Sequence, residues 1–284
     1  MVLSVRVQFQ LLCLLFLAVS ANGTIAAEEG NDIKWVLTGL PPKLIPDGPL
    51  RGTGFGEQQV AFLSKHLPQF SHRLETASPS RLWHEMQTDK GVCSIDIADL
   101  PERETWAVFT RHRTSNPPFR LLLLQERVPD FAEFRDEDGM IDLDLLAKSD
   151  QFSGIYVSNR HYMPQVNHFI DDPSRKARLQ SVISPTRIFE MVAKHRADFS
   201  FAAVTEMNYF NADTAAAATG GKPLAMLAIK GGTERVFGHI ACSRDPLGLK
   251  LVEAVDRLLD QEGMWNEFLA PERRWEEQAT FAGR

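Results

Sequence analysis

The chain has few residues suited to soft metal ligation or thiol catalysis, since only three of its 284 residues are cysteine. Its eight histidines form no H-E-x-x-H pair and no other spacing typical of a metal site. The sequence also lacks the G-x-S-x-G elbow of serine hydrolases and the phosphate-binding loop of nucleotide enzymes. We therefore expect no metal ion, no other cofactor, no catalytic residue and no enzymatic activity.

Excess positive charge is absent as well. The formal net charge is −6 at pH 7, and an acidic chain is a poor partner for the phosphate backbone. Non-specific nucleic-acid binding is therefore not expected.

Long apolar runs are confined to the N-terminus. Arg6 is the only charge before Glu28, and Leu11–Val19 forms a short apolar segment followed by small residues. This pattern predicts a signal peptide over residues 1–27 and export of the protein. The apolar run is short for a transmembrane helix, and an uncleaved N-terminal anchor is the alternative.

Two cysteines, Cys93 and Cys242, follow the predicted signal. Export places them in an oxidising space, where an even number of thiols favours pairing. Both lie in apolar, strand-like segments, so two buried free thiols are the alternative to a disulfide.

One phrase occurs twice in the chain, as Ser78-Pro79-Ser80-Arg81-Leu82-Trp83 and as Ser184-Pro185-Thr186-Arg187-Ile188-Phe189. Each copy predicts a helix start, with a serine cap followed by proline in the first turn. Each is also followed by an apolar segment typical of a strand, which predicts that one strand–helix–strand unit is used twice. The repeat predicts two similar lobes with a cleft, although Ser-Pro is also a common helix opening by chance.

Strands alternate with helices along the chain, which predicts an α/β protein whose lobes are mainly parallel sheets flanked by helices. Breaks fall near residues 115–118 and 211–223. We expect a discontinuous first lobe (28–117 and 220–284) around an inserted second lobe (118–219).

This order of features resembles the type II periplasmic solute-binding proteins of family 3, which bind polar amino acids. The resemblance covers nearly the whole chain after the signal. It is carried by the following motifs: the glycine-rich stretch from Leu50-Arg51-Gly52 to Phe55-Gly56-Glu57, the turn Pro101-Glu102-Arg103, the segment Ser115-Asn116-Pro117, and Ala197-Asp198 before a strand.

Two positions depart from the family pattern. Leu100 stands where a small hydroxyl residue commonly precedes the turn, and Ala203 stands where an aspartate often holds the ligand's amine. Both departures argue against ordinary α-amino-acid binding while leaving the expected two-lobed fold intact.

Arginines are the strongest candidates for ligand contact, because a guanidinium can form two parallel hydrogen bonds to a carboxylate. The resemblance implies that Arg103 binds a carboxylate. Arg81 and Arg187 belong to the repeated helix starts, and Arg160 follows a predicted strand. For Arg81 and Arg187, solvation or pairing with Glu85 and Glu190 is the alternative.

Four further residues are candidates. Ser158 and Asn159 could contact a ligand at a helix start or merely cap it. Glu57 could bind a cationic group or begin its helix favourably. Trp35 could stack on a ligand or lie in the core.

These observations lead to the hypothesis of a monomeric periplasmic binding protein that closes two lobes on a small anionic or zwitterionic solute. Its partner would be an ABC transporter permease or a membrane sensor. The alternatives are a stand-alone sensory domain, or a small exported lyase or hydrolase using Glu57 with Glu102.

Overall fold

The computed structural model describes residues 30–38, 41–212, 222–232 and 234–277. The expected signal peptide at 1–27 lies outside these residues. The strands are β1 (Asp32–Thr38), β2 (Ser71–Ala77), β3 (Val92–Ile97), β4 (Ala107–Asn116), β5 (Arg120–Leu124), β6 (Ser153–Val157), β7 (Arg178–Val182), β8 (Phe199–Ala202), β9 (Leu224–Leu227) and β10 (Val236–Ser243).

The helices alternate with these strands, as the sequence pattern predicts. They are α1 (Phe55–His66), α2 (Pro79–Thr88), α3 (Leu143–Lys148), α4 (Pro164–Asp171), α5 (Pro185–Ala193), α6 (Val204–Ala212), α7 (Pro246–Leu259) and α8 (Met264–Glu277), with a 3-10 helix at Gln125–Phe134. In the described ranges, no helix has both the length and the apolar character needed to cross a bilayer.

The strands form two five-stranded sheets, with orders β2-β1-β3-β10-β4 and β7-β6-β8-β5-β9. We call the part built on the first sheet lobe 1 and the part built on the second sheet lobe 2. In lobe 1, β10 runs antiparallel to both of its neighbours, and in lobe 2 the same is true of β5. Four of the five strands in each sheet therefore share one direction, which confirms the expected mainly parallel sheets.

The two lobes use the same local topology. Helix α2 connects β2 to β3, and helix α5 connects β7 to β8, at matching places in the two strand orders. The repeated Ser-Pro phrase begins both helices. The two-lobed organisation predicted from the repeat is thus confirmed, because the phrase marks equivalent positions in the two sheets.

Each lobe buries its own apolar core. In lobe 1, Trp35 and Leu63 pack with strand and helix residues around β1 and α7. In lobe 2, Phe131, Phe199 and Phe201 pack together with their rings in edge-to-face contact. Burial of such large rings is a major apolar contribution to folding, so each lobe has a basis for its own stability.

The chain leaves the first sheet after Asn116 and enters the second at Arg120. The predicted return to lobe 1 at residue 220 is too early. Strand β9 pairs antiparallel with β5 in lobe 2, from Leu121↔Leu227 to Leu124↔Leu224. The break in the sequence pattern near residues 211–223 precedes one more strand of the second sheet, β9. The chain returns to lobe 1 only after β9.

Cys93 and Cys242 form a disulfide. They face each other in the antiparallel register between β3 and β10, and both side chains are fully buried. The predicted disulfide is confirmed, and the alternative of two free thiols is wrong. The bond joins an early strand of lobe 1 to the late strand that completes its sheet.

We expect alkylation of the unfolded, unreduced protein to leave Cys93 and Cys242 unlabelled, and labelling of both after reduction. Because the bond closes a long loop of the unfolded chain, reductant should lower the free energy of unfolding by about 2–5 kcal/mol. The double variant Cys93→Ala, Cys242→Ala is the control, since reductant should not change its melting temperature. Peptide mapping that finds both thiols labelled before reduction would contradict the assignment.

Candidate functional site

A cavity of about 330 Å³ lies between the two lobes. It is lined at the carboxyl ends of strands, where parallel α/β sheets place their ligands. The last residues of β1, β3 and β6 line the cavity; they are Thr38, Ile97 and Val157. A volume of this size is at the lower end of the range for small-molecule sites, about 300–1,000 Å³.

The two Ser-Pro helix starts face this cavity from opposite lobes. Ser78 and Pro79 line it from lobe 1, and Ser184 and Pro185 line it from lobe 2. Ser78 Oγ caps its helix by accepting from Arg81 N at 3.3 Å. The partial positive charge at two helix N-termini favours an anion in the space between them.

Arg81 and Arg187, although predicted to contact the ligand, do not line the cavity. Arg81 is exposed, and its Nε donates to Glu85 Oε1 at 2.6 Å on the next turn of the same helix. Arg187 is exposed as well. The helix starts therefore present their serine and proline residues to the cavity, while the arginines project elsewhere.

Arg103 lines the cavity from lobe 1. Its guanidinium lies 4.4 Å from the centre of the Trp83 ring, and Nη1 donates to the carbonyl of Ala98 at 2.9 Å. Partial burial lowers the pKa of Arg103. Among the described residues, no carboxylate lies within 4.0 Å of this guanidinium, in contrast to the other cations of the cavity.

Arg160 lines the cavity from lobe 2. It forms an ion pair with Glu206, with Nη2 2.8 Å from Oε1, and its guanidinium lies 4.6 Å from the Phe119 ring centre. The positive charge predicted at this position is present. It is largely compensated by Glu206, which lies at the start of α6.

Ser158 and Asn159 also line the cavity, next to Arg160. Ser158 N and Oγ both donate to the carbonyl of Val182, at 2.8 and 3.3 Å. Asn159 adopts a left-handed backbone with φ of 57°. This turn ends β6 and aims the three residues that follow the strand at the cleft.

Two predicted residues have structural positions instead. Glu57 accepts hydrogen bonds from the backbone N–H groups of Ile45 and Gly54, at 3.0 and 3.1 Å, and so caps the start of α1 with its carboxylate. Trp35 is fully buried, and its Nε1 donates to His72 Nδ1 at 2.9 Å. Neither residue lines the cavity.

Several cavity residues were missed at the sequence level, chiefly Lys43, Asp96, Asn116, His161 and Glu206. Two of them had a usable signal. Asp96 lies at the end of an apolar strand, and Glu206 follows another strand and begins a helix, which are the places where α/β sheets bind ligands.

Asp96 owes its orientation to an irregular strand pairing. Its backbone is left-handed, with φ of 58°, opposite the point where the register of β10 shifts. Gly238 on β10 makes room, because a Cβ there would lie 2.1 Å from Asp96 Oδ1. The carboxylate accepts from Thr114 Oγ1 and Asn116 Nδ2, at 3.2 and 3.0 Å.

Lys43 is the second compensated cation. Its Nζ lies 4.0 Å from Asp96 Oδ2 and 3.5 Å from the Asp96 carbonyl. Burial lowers the pKa of Lys43, an effect that the charge of Asp96 opposes. The cavity is therefore lined by one lysine, two arginines and one histidine together with two acids, and each acid lies beside a lysine or an arginine.

Glu272 of α8 is a further acid close enough to Lys43 to influence its charge. Gln59 Nε2 donates to Glu272 Oε2 at 3.4 Å, and Glu272 Oε1 has no hydrogen-bond partner among the described residues. Burial, strengthened by the negative charges of Asp96 and Glu276, raises the pKa of Glu272 to about 8. This carboxyl group is therefore protonated at neutral pH.

Comparison with known proteins identifies the fold. No family profile and no curated protein sequence matches the chain. Among solved structures, the periplasmic VFT2 domain of BvgS from Bordetella pertussis matches with a TM-score of 0.62 and 17% identity, covering 86% of this chain and 93% of that one. The amino-acid ABC transporter substrate-binding protein AbpA from Streptococcus pneumoniae, bound to L-arginine, matches with a TM-score of 0.62 and 12% identity, covering 88% and 96%.

A third match is the ancestral amino-acid-binding protein AncCDT-1, described as a precursor of cyclohexadienyl dehydratase. Its TM-score is 0.60 at 14% identity, and the match covers 86% of this chain and 95% of that one. These similarities confirm that the chain has the two-lobed fold of periplasmic binding proteins, as the sequence resemblance implies.

We expect Glu272→Gln to raise the melting temperature near pH 8 and to change it little near pH 4.5. The unfolded chain ionises Glu272 near its ordinary value of 4.5, whereas the folded protein holds the proton to about pH 8. The folded state binds more protons within this window, so the contribution of Glu272 to stability falls as the pH rises.

Thermal melts across this pH range measure the effect. Glu262 is exposed, and Glu262→Gln is the matched control. Equal shifts of the two variants at every pH would show that Glu272 is not held protonated.

Proposed function

We propose that this protein is a solute-binding protein of the periplasm that closes its two lobes on a small anionic or zwitterionic molecule. The observation that carries the proposal is Arg103, the cavity arginine that has no carboxylate partner within 4.0 Å among the described residues. Arg160 and Lys43 are each paired with an acid of their own lobe. Glu102, whose charge acts on Arg103, does not line the cavity, so an anion in the cavity would give the guanidinium a direct partner.

His161 supplies a contact from the opposite lobe. It lines the cavity from lobe 2, and loss of hydration together with the charge of Arg103 lowers the pKa of its imidazole, an effect that the charge of Glu102 opposes. A ligand carboxylate between Arg103 and His161 would favour the protonated imidazole, attract both cations and so stabilise the closed state.

The chain offers a hinge for such closure. It crosses from lobe 1 to lobe 2 between β4 and β5, and returns between β9 and β10. The two crossings lie side by side, because Val236 pairs with Asn116 and Arg235 Nε donates to Ser115 Oγ at 2.6 Å. Two adjacent connecting segments are typical of lobes that rotate about a common axis.

The bound state would then be detected by a membrane partner. The similar structures include one from an amino-acid ABC transporter and one from the periplasmic part of BvgS. We propose an ABC transporter permease or a membrane sensor as the partner, with the predicted signal at 1–27 directing export.

The alternative of an exported enzyme was based on Glu57 and Glu102, and the positions of these residues do not support it. Glu57 accepts two backbone hydrogen bonds that begin α1, and neither Glu57 nor Glu102 lines the cavity. A lyase or hydrolase using this pair has no support from the geometry.

We expect Arg103→Gln to weaken binding of the cognate carboxylate about ten- to hundredfold, because a hydrogen bond to a charged group contributes about 1.5–3 kcal/mol. The ligand is found by a thermal-shift screen of amino acids, carboxylates, sugars and phosphates, since a ligand that binds the folded state raises its melting temperature. Arg81→Gln is the matched control, as Arg81 is exposed and outside the cavity. If every ligand found binds Arg103→Gln and wild type equally, the proposed site is wrong.

We further expect the affinity for a carboxylate ligand to increase as the pH falls below 6.5, the ordinary histidine value. In the free protein, Arg103 and partial dehydration disfavour protonated His161. A bound carboxylate favours it, so the imidazole binds a proton more tightly in the complex and protonation promotes binding. Calorimetric titrations at several pH values measure this slope, and His161→Gln should abolish it. An unchanged slope in that variant would exclude His161 from the site.

A further inference from the structure

The chemistry of the cavity indicates the class of solute. We infer that the ligand is a monocarboxylate with an apolar body and no ammonium group, and this inference rests on the proposed function. Two features carry it: the state of the two acids that line the cavity, and the exposed apolar side chains at its edge.

Asp96 is not available to an ammonium group. Its Oδ1 already accepts from Thr114 Oγ1 and Asn116 Nδ2, and its Oδ2 faces Lys43 Nζ at 4.0 Å. The pKa of Lys43 is lowered by burial, and a second cation close to its ammonium would add repulsion. An amine placed at Asp96 would therefore compete with an internal cation.

Glu206 already balances the charge of Arg160. Its Oε2 accepts from Ala203 N at 2.8 Å, and its Oε1 lies 2.8 Å from Arg160 Nη2 in an ion pair, although among the described residues neither Oε1 nor Arg160 Nη1 has a hydrogen-bond partner. The side chain is 4% exposed. Removing Arg160 from this carboxylate to admit a ligand amine would leave a buried charge unpaired, which is costly.

The charges of the cavity are consistent with one negative charge on the ligand. Lys43, Arg103 and Arg160 are its lining lysine and arginines, and Asp96 and Glu206 are its lining acids. Pairing among these five side chains leaves one positive charge, that of Arg103, near the charge of Glu102 just outside the cavity lining. A monoanion neutralises this charge, whereas a zwitterion would bring a positive group that has no acid to receive it.

The edge of the cavity is apolar and partly open. Five large apolar side chains of the described residues are exposed, and two of them, Ile183 and Phe237, line this cavity. Ile183 is 80% exposed, on lobe 2 directly before Ser184, and Phe237 is 41% exposed, on lobe 1. Single exposed apolar residues are ordinary, but these two belong to opposite walls of one cleft.

Other lining residues extend this apolar surface inward, among them Phe55, Leu82, Trp83, Ile97 and Phe119. Closure around an apolar ligand would remove Ile183 and Phe237 from water together with the ligand body, and burial of apolar area favours that closed state. The carboxylate would lie at Arg103, beside the Trp83 ring.

Matched pairs of probes test the inference. 3-Phenylpropanoate and L-phenylalanine share a skeleton and differ by the α-ammonium group, as do 4-methylpentanoate and L-leucine. We expect calorimetry on wild-type protein to give the amine-free member of a pair an affinity higher by about tenfold or more, and Arg103→Gln to reduce that affinity.

The outcomes separate the inference from the proposed function. An amino acid that binds as tightly as its amine-free partner, and loses affinity in Arg103→Gln, overturns the inference while supporting a solute-binding role. Binding of sugars or phosphates alone also overturns it. If no compound in the whole screen binds in an Arg103-dependent way, the proposed function fails and the inference fails with it.

Two variants test the separate parts of the inference. Ile183→Ser should weaken 3-phenylpropanoate binding about three- to tenfold, because the hydroxymethyl group buries less apolar area. Leu249→Ser is the control, since Leu249 is 47% exposed on α7 and lies outside the cavity. Equal affinities in the two variants would contradict apolar contact at Ile183.

Ala203→Asp places a carboxylate on the cavity wall, because Ala203 lines the cavity at the end of β8. With an acid available to the amine, the preference should shift toward L-phenylalanine relative to 3-phenylpropanoate. A ratio of affinities that stays at the wild-type value, in a variant that melts cooperatively, would show that a missing acid does not set the preference.

Discussion

The arrangement of the molecule depends on one constraint, which is that four of the five strands in each sheet run in the same direction. Strands of one direction end at one edge of a sheet, and the turns that follow them collect there. In both lobes this edge faces the cleft. The charged residues of the cavity, from Asp96 and Arg103 on one side to Arg160 and Glu206 on the other, lie at the ends of strands or in the segments that follow them.

The charged side chains of this cleft are of two kinds, those paired with another side chain and those available to a ligand. Arg160 with Glu206, at 2.8 Å, and Lys43 with Asp96, at 4.0 Å, form ion pairs whose charges balance. Such pairs add little net stability when buried, but removing one member is costly because it leaves the other unpaired. These pairs therefore stabilise the cavity walls, and Arg103 is the side chain available to bind an anion.

The fold was largely predictable from the sequence because the alternation of strands and helices is a local pattern. The repeated Ser-Pro phrase identified equivalent helices, and the family resemblance identified Arg103 as a residue of the cleft. Arg81 and Arg187 were predicted to contact a ligand, but neither lines the cavity. A sequence places a residue at a helix start, but the direction of its side chain depends on neighbours such as Glu85, which binds Arg81 on the helix surface.

Other parts of the site depend on contacts that no local pattern contains. The bond from Gly54 N to Glu57 is a local contact at a helix start, which the sequence offered as the alternative for Glu57, whereas the bond from Ile45 N forms only in the folded loop. The orientation of Asp96 depends on Gly238, which is distant in sequence and adjacent only in the sheet. The end of lobe 2 was misplaced for the same reason, because pairing of β9 with β5 is a long-range contact.

Strand β10 has a consequence for the order in which the protein forms during synthesis. Lobe 2 has its strands in one continuous stretch, from Arg120 to Leu227, whereas the sheet of lobe 1 has a gap between β3 and β4 until Val236–Ser243 is available. The disulfide spans a separation of 149 residues and encloses the whole of lobe 2. A chain that emerges from its N-terminus therefore presents all strands of lobe 2 before the last strand of lobe 1, and the first sheet is completed when most of the chain has emerged.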